Sequence, residues 1–283
     1  MSALVQGTQE WLDYRKTKIG ASDAPIIMGV SPYSTIYELW MSKNDYIPDI
    51  YQHDGILEGK KCEDEVRMWF ALETGIQVAP RVMVHSSLDW MIASLDGLSA
   101  DNKTAVEIKR PGPKDHAKAL ARKIPEKYFP QLQHQLEVLA LDELFYYSFD
   151  GKDGVLLKVG RDDRYIKTMV RKETEFMECL QEFRAPAMTD RDYHLRNDDV
   201  WKQTAVSFMD AQAELKKWEA REKELRGSLL TMASQQNTIG AGLKLTKCVR
   251  QGVVDYSSVP ELQGIDLDAY RKEPSEYWKV TAV

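Results

Sequence analysis

Ser94-Leu95-Asp96-Gly97 and Val106-Glu107-Ile108-Lys109 stand on either side of Asp101-Asn102, a two-residue turn signal, so the segment reads as a hairpin. With Ala100 and Lys103 flanking the turn, the register sets Asp96 directly opposite Glu107. Directly opposed side chains have Cβ atoms roughly 4.5–5.5 Å apart, and like charges so placed repel. A cation between the two carboxylates removes that repulsion. The period of two sends Glu107 and Lys109 to the side of Asp96, and Val106 and Ile108 into a core. Such a face suits a hard dication such as Mg²⁺, which takes oxygen ligands and needs one or two carboxylates beside substrate phosphate. The Ile108 carbonyl offers one more oxygen. A metal there lowers the pKa of a bound water and polarises a phosphoryl oxygen, while Lys109 orients the water or offsets the growing charge. A solvated hairpin face carries the same residue types, so the hairpin by itself leaves both readings open.

A third acid is Glu63. Residues 59–70 read as an amphipathic helix with Cys62, Val66, Trp69 and Phe70 turned inward, and Glu63 borders that stripe. There it is either paired with a cation or aimed into a site. Zinc finds no home, since Cys62, Cys179 and Cys248 lie far apart and the five His residues have no zinc-ligand spacing.

The elements that must position these residues follow from periodicity and turn signals. Helices are expected near residues 8–16, 22–29, 35–44, 58–74, 114–122, 126–141 and 162–184, and strands near 81–86, 90–95, 104–109, 144–149 and 154–160. This is an α/β arrangement, a mixed sheet with helices on its faces. After about residue 195 the chain changes character, which divides it into 1–195 and 196–283. From Thr204 to Gln235 it reads as one charged helix with Phe208, Leu215, Glu222 and Leu229 a heptad apart and Ala211, Trp218, Leu225 and Met232 as companions. Glu222 interrupts the seam, which favours an arm packed on its own domain or on a neighbouring subunit. Asn237 to Gly242 breaks the helix. Residues 243–246, 252–256 and 277–280 look like strands around a loop with Arg271 and Lys272.

A chain of 283 residues with 43% hydrophobic content can bury a proper core, and a net charge of −6 excludes an indiscriminate nucleic-acid coat. A local basic tract survives that test: Lys109, Arg110, Lys114, Lys118, Arg122, Lys123 and Lys127 face only Asp115 and Glu126. Lys114, Lys118 and Arg122, four residues apart, would share a helix face, either solvated or tracking phosphates. The sequence has no apolar run of membrane-spanning length and no signal-peptide pattern, and its cysteines are few and scattered, so a cytoplasmic setting without membrane contact is expected.

Several further segments carry a resemblance. They are Trp11 and Arg15; Ile19-Gly20-Ala21-Ser22-Asp23-Ala24; Gly29-Val30-Ser31-Pro32-Tyr33-Ser34-Thr35; Leu39-Trp40; Gly59 and Glu63; and Tyr128 with Gln131 and Gln133. With the two hairpin motifs, in this order, they resemble the PD-(D/E)XK nuclease superfamily, and within it the bacteriophage lambda exonuclease and YqaJ-like viral recombinase family, over residues 8–150. Leu95 stands where the superfamily name anticipates Pro, a position that shapes the strand end. The resemblance implies a PD-(D/E)XK nuclease core followed by a C-terminal helical arm and small β extension. Metal ligands would be Asp96, Glu107 and the Ile108 carbonyl, with Glu63 near a second metal, Lys109 as the catalytic lysine and Gln131 orienting the site.

By the same resemblance, Arg15, Ser22 and Ser94 match a pocket for the 5′-terminal phosphate. An Arg fork and hydroxyls suit phosphate oxygens. Ser22 also precedes residues 23–28, where it would cap a helix, and a plain cap is the competing reading. Lys114 and Lys118 would contact DNA. The implied activity is a Mg²⁺-dependent 5′-to-3′ exonuclease, with Mn²⁺ as substitute, digesting linear double-stranded DNA to mononucleotides. It would leave a 3′ strand for a single-strand annealing protein. A ring-shaped homo-oligomer is implied, in the host cytosol if the chain is phage-encoded. Two alternatives stay open: an endonuclease or single-strand nuclease of the superfamily, and a DNA-binding assembly protein with a decayed core.

Overall fold

A computed structural model describes residues 8–51 and 63–253, together with 255, 258–262, 265, 270 and 272. The chain divides into two compact units, residues 1–194 and 195–283.

In the first unit α1 (Gln9–Lys16) leads into β1 (Ile19–Gly20), α2 (Ala24–Ile27) and α3 (Ile36–Lys43). Then come α4 (Glu63–Thr74), β2 (Val78–Val84), β3 (Met91–Ser99), β4 (Ala105–Lys109) and α5 (Pro113–Leu120). The unit continues through α6 (Phe129–Leu139), β5 (Glu143–Phe149), β6 (Gly154–Gly160) and α7 (Asp163–Gln181). The strands form the expected mixed sheet in the order β1-β3-β4-β5-β6, with β2 on the other edge of β3. β1 runs parallel to β3 and β4 parallel to β5, and the remaining pairs are antiparallel.

Local chemistry fixes the helix ends. Thr35 and Glu38 form a reciprocal capping box at α3, and Asp162 caps α7 by accepting from Tyr165 N at 2.9 Å. One core layer joins Leu132 and Leu136 of α6 and Met169 of α7 to Leu95, Leu98 and Tyr146 of the sheet. Val106 and Ile108 pack instead with Val66 and Phe70 of α4 and with Tyr147 and Phe149. Trp69, expected inward, is half exposed. Val66 and Phe70 lie four residues apart on the buried line, and the large indole falls beside it. Cys62 and the expected helix start at 58–62 lie outside the described residues.

In the second unit α8 runs over Asp199–Met232, beginning ahead of the expected Thr204 because Asp198 caps it, accepting from Trp201 N at 3.0 Å. The stretch 237–242, expected only to break the helix, contains β7 (Thr238–Gly240). That strand pairs antiparallel with β8 (Leu243–Leu245) across Ala241 and Gly242, which take φ of +47° and +78°. Residues 252, 253 and 255, expected in a strand, are irregular. Residues 254 and 256, the strand at 277–280 and Arg271 lie outside the described residues, whereas Lys272 is exposed.

Candidate active site

The hairpin folds in the expected register but around a wider turn. Gly97 pairs with Val106 and Leu98 with Ala105, which sets Asp96 opposite Glu107. Residues 100–103 form the loop, since Asp101 Oδ1 accepts from Ser99 Oγ at 2.6 Å and from Lys103 N at 3.1 Å, and Asn102 adopts φ +58°. On the other edge of β3 the register slips between Ala79↔Leu98 and Arg81↔Leu95, so Pro80 alone spans Asp96 and Gly97. That is a β-bulge, and Pro fits there because it has no N–H to give the ladder. Asp96 is thereby released from regular pairing, and its Oδ2 accepts from Ile108 N at 2.8 Å.

Glu107 turns from the α4 side of the sheet toward α6 and is 2% exposed. Lys109 Nζ and Gln131 Nε2 both lie 2.5 Å from its Oε1, and Gln135 Nε2 lies 2.5 Å from Oε2. Arg67 of α4 donates to the Asp96 carbonyl at 2.9 Å and stands 3.7 Å from Glu63 Oε2, which ties the start of α4 to the same point. Burial and then the charge of Glu107 push the Asp96 carboxyl well above its usual range, against the pull of Lys109. Burial pushes Lys109 down, but Glu107 and Asp96 outweigh it and hold the ammonium above its ordinary pKa.

The structure thus brings together Asp96, Glu107, Lys109 and Gln131, with Glu63 linked through Arg67. Among the described residues no three His, Cys, Asp or Glu side chains converge as a ready-made cage. Two mutually repelling carboxylates beside a strand carbonyl are nonetheless a donor set suited to Mg²⁺, which keeps much of its water. Sequence reading missed Arg67 and Gln135. The one available signal for Gln135 was its place four residues after Gln131 on a helix. Gln133, part of the resemblance, is structural: its amide donates to Gly160 O at 3.0 Å and accepts from Asp162 N at 2.8 Å.

A second cluster forms around Arg15. Its Nη2 donates to Ser22 Oγ at 2.8 Å, and its guanidinium lies 3.9 Å over the Tyr51 ring. Ser22 does not cap α2, contrary to the capping expectation. The N-cap position is Asp23, whose buried carboxylate accepts from Gly20 N at 2.9 Å, Lys43 Nζ at 2.8 Å and Tyr51 OH at 2.6 Å. Burial pushes Asp23 up, but Lys43 and Arg15 outweigh it and bring its pKa down to about 2. Arg15 and Lys43 both face the Asp23 carboxylate, and Asp49 lies within electrostatic reach of Lys43. Gly20 pairs with Ile92, four residues or about 13 Å along β3 from Asp96.

Ser94 sits half-buried opposite Val82, and among the described residues no hydrogen bond joins it to Arg15 or Ser22. Lys114 and Lys118 are exposed on α5. Arg122 does not share their face: it follows the helix at φ +58° and donates to Leu156 O at 3.2 Å. Lys127 is drawn in by Asp115 at 2.9 Å and by Tyr33 OH at 2.7 Å.

Residues 10–141, which contain both clusters, match the family model of the YqaJ-like viral recombinase domain. Those residues are similar to that domain. YqaJ of Bacillus subtilis, an uncharacterised protein, is 30% identical over 173 residues, covering 59% of this chain and 54% of the relative. The chain thus matches about half the length of that curated relative. Among solved structures, the alkaline exonuclease LHK-Exo of Laribacter hongkongensis aligns with a TM-score of 0.54 and 21% identity over 71% of this chain and 100% of its own. LHK-Exo in complex with dAMP aligns at 0.53 and 23%, over 62% and 94%. At such identities the likeness speaks for the fold alone, a mixed sheet flanked by helices. No described helix is long and apolar enough to cross a membrane.

Proposed function

We propose that the YqaJ-like domain is a Mg²⁺-dependent exonuclease that digests linear double-stranded DNA from its ends, 5′ to 3′, releasing mononucleotides. The observation that carries this reading is the convergence of Asp96, Glu107 and Lys109 on one buried point. Asp96, Glu107 and the Ile108 carbonyl would hold the ion, with Glu63 near a second, and Mn²⁺ would substitute. When bound, such an ion activates water and polarises a phosphoryl oxygen.

The chain's own residues supply placement and charge. Lys109, held as an ammonium, serves as a fixed positive charge for a phosphoryl oxygen and not as a proton acceptor. Gln131 and Gln135 keep Glu107 in one orientation. Hydrolysis joins a water oxygen to phosphorus and breaks the P–O3′ bond, the 3′ oxygen taking a proton. The phosphate stays on the next nucleotide, so every turnover regenerates a 5′ phosphate. The Arg15 guanidinium with the Ser22 hydroxyl suits that group, and Ser94 is the third candidate contact. Lys114 and Lys118 would track the duplex, with salt-dependent binding.

On this reading residues 1–195 are the nuclease and 196–283 its extension. A ring-shaped homo-oligomer would keep an acidic chain on DNA by topology. The remaining 3′ strand would pass to a single-strand annealing protein, in the host cytosol if the chain is phage-encoded. The test compares linear duplexes carrying a 5′ phosphate or 5′ hydroxyl on one labelled strand, with a covalently closed circle alongside, in Mg²⁺. The phosphorylated strand should shorten first, to mononucleotides, and the circle should stay intact. Cleavage of the circle points to an endonuclease. No cleavage, with no divalent-ion binding by calorimetry, points to a DNA-binding assembly protein.

A further inference from the structure

Helix α8 carries a five-heptad seam, and none of its residues is buried. Trp201, Phe208, Leu215 and Leu229 repeat every seven residues, with Glu222 in the same series. Ala211, Trp218, Leu225 and Met232 follow three positions behind them, with Thr204. This is the a/d spacing of a two-stranded coiled coil. Phe208, Leu215, Trp218, Leu225 and Met232 are all exposed, a row of large apolar groups along a helix of roughly 50 Å.

We infer that α8 pairs with α8 of a second copy of this chain as an antiparallel coiled coil. Placing Leu215 against Trp218 of the partner subunit overlaps the two helices along their whole length. Phe208 then meets Leu225 of the partner subunit, and Trp201 meets Met232 of the partner subunit. Glu222, the break in the seam, falls opposite Ala211 of the partner subunit, whose small side chain leaves the carboxylate room to reach the edge. There Arg226 of its own helix already holds Glu222, with Nη2 at 2.6 Å and Nε at 2.8 Å.

Charge decides the direction. The positions flanking the seam include Glu214, Glu219, Arg221 and Arg226. An antiparallel pair puts Glu214 beside Arg221 of the partner subunit, and two-fold symmetry repeats that attraction. A parallel pair puts Glu214 against Glu219 of the partner subunit and Arg221 against Arg226 of the partner subunit. It also stacks Glu222 on Glu222 of the partner subunit within the seam. Only the antiparallel arrangement is free of these like-charge contacts. The pairing uses no residue of the proposed catalytic or phosphate site, so it stands or falls apart from the nuclease reading.

The test is sedimentation of the full chain over a range of concentrations, with Glu214→Arg, Arg221→Glu and the double reversal. Both positions are exposed and helix-compatible, and circular dichroism checks that each variant folds. Each single reversal should weaken association by roughly tenfold and halve the sedimenting mass at a concentration where the parent is paired. Any ring formed by the YqaJ-like domain is left standing. The double reversal should restore the parent behaviour. Single reversals that tighten association would mean parallel helices, and singles without effect would mean that the seam is covered by this chain's own tail or by another protein. Either result overturns the inference.

Discussion

Gln135 Nε2 lies 2.5 Å from Glu107 Oε2, the carboxylate oxygen that Lys109 and Gln131 leave untouched. Its own Oε1 is buried and meets no hydrogen-bond partner among the described residues, so this amide is held in place for its donor. Three donors from two elements fix the rotation of Glu107, and Gln135 acts through that carboxylate as a positioning residue. Gln135→Leu should lower kcat on duplex DNA by about tenfold or more and leave KM within about twofold. Denaturant unfolding should show a cost of about 1–3 kcal/mol for the buried oxygen left without a donor. A fall in stability with kcat unchanged would make Gln135 a packing residue only.

Burial and the neighbouring Glu107 both oppose a charge on Asp96. Its carboxyl is raised by burial and by Glu107, so the metal-free protein loses stability as pH rises from the ordinary carboxylate pKa through the raised one. Asp96→Asn keeps an oxygen for Ile108 N and removes the clash. It should therefore melt higher than the parent at neutral pH without metal, and cleave nothing measurable. Mg²⁺ should raise the melting temperature of the parent and leave that of the variant unchanged, as linkage requires of a lost binding site. A scanning-fluorimetry series with and without Mg²⁺ reads all three outcomes.

How much of this was open to sequence reading depends on the range of the interaction. The Asp96–Glu107 register was legible because a turn signal and two alternating strands are local. The bulge at Asp96 was not, because it is made by Pro80 on another strand. Ser22 looked like a helix cap by its place before an apolar run. Yet Asp23 takes the N-cap position, since Lys43 and Tyr51 arrive from distant segments to neutralise and bond its carboxylate. Arg122 shows the same limit: its spacing from Lys118 promised a shared face, and the left-handed residue that ends α5 removed it.

Asp23 links acid stability to the Arg15 cluster. Its folded pKa is depressed to about 2 from an ordinary 3.8, so its stabilising effect is fully present above about pH 4. It is lost as pH falls from about 4 toward 2. Asp23→Asn should destabilise the protein at neutral pH and remove part of the acid-side fall in the melting temperature. The profile to measure runs from pH 2.5 to pH 6 in parent and variant. Parallel curves would mean that the carboxylate contributes nothing to acid unfolding.

Gly97 sits where β2, β3 and β4 press together beside Asp96. A Cβ at this position would lie 2.7 Å from both Val106 Cγ1 and Val78 Cγ2. Val106 is fully buried against α4, and a β-branched side chain has little rotamer freedom with which to retreat. Gly97→Ala must therefore move β2, β3 or β4, of which β3 carries Asp96 and β4 carries Glu107. The substitution should cost about 1–3 kcal/mol in stability and lower cleavage by a larger factor than the fraction unfolded accounts for. Adding Val78→Ala opens one of the two contacts without touching β4, so it should return part of both losses. If the pair of substitutions recovers stability while cleavage stays low, the bulge geometry at Asp96 is what the glycine protects.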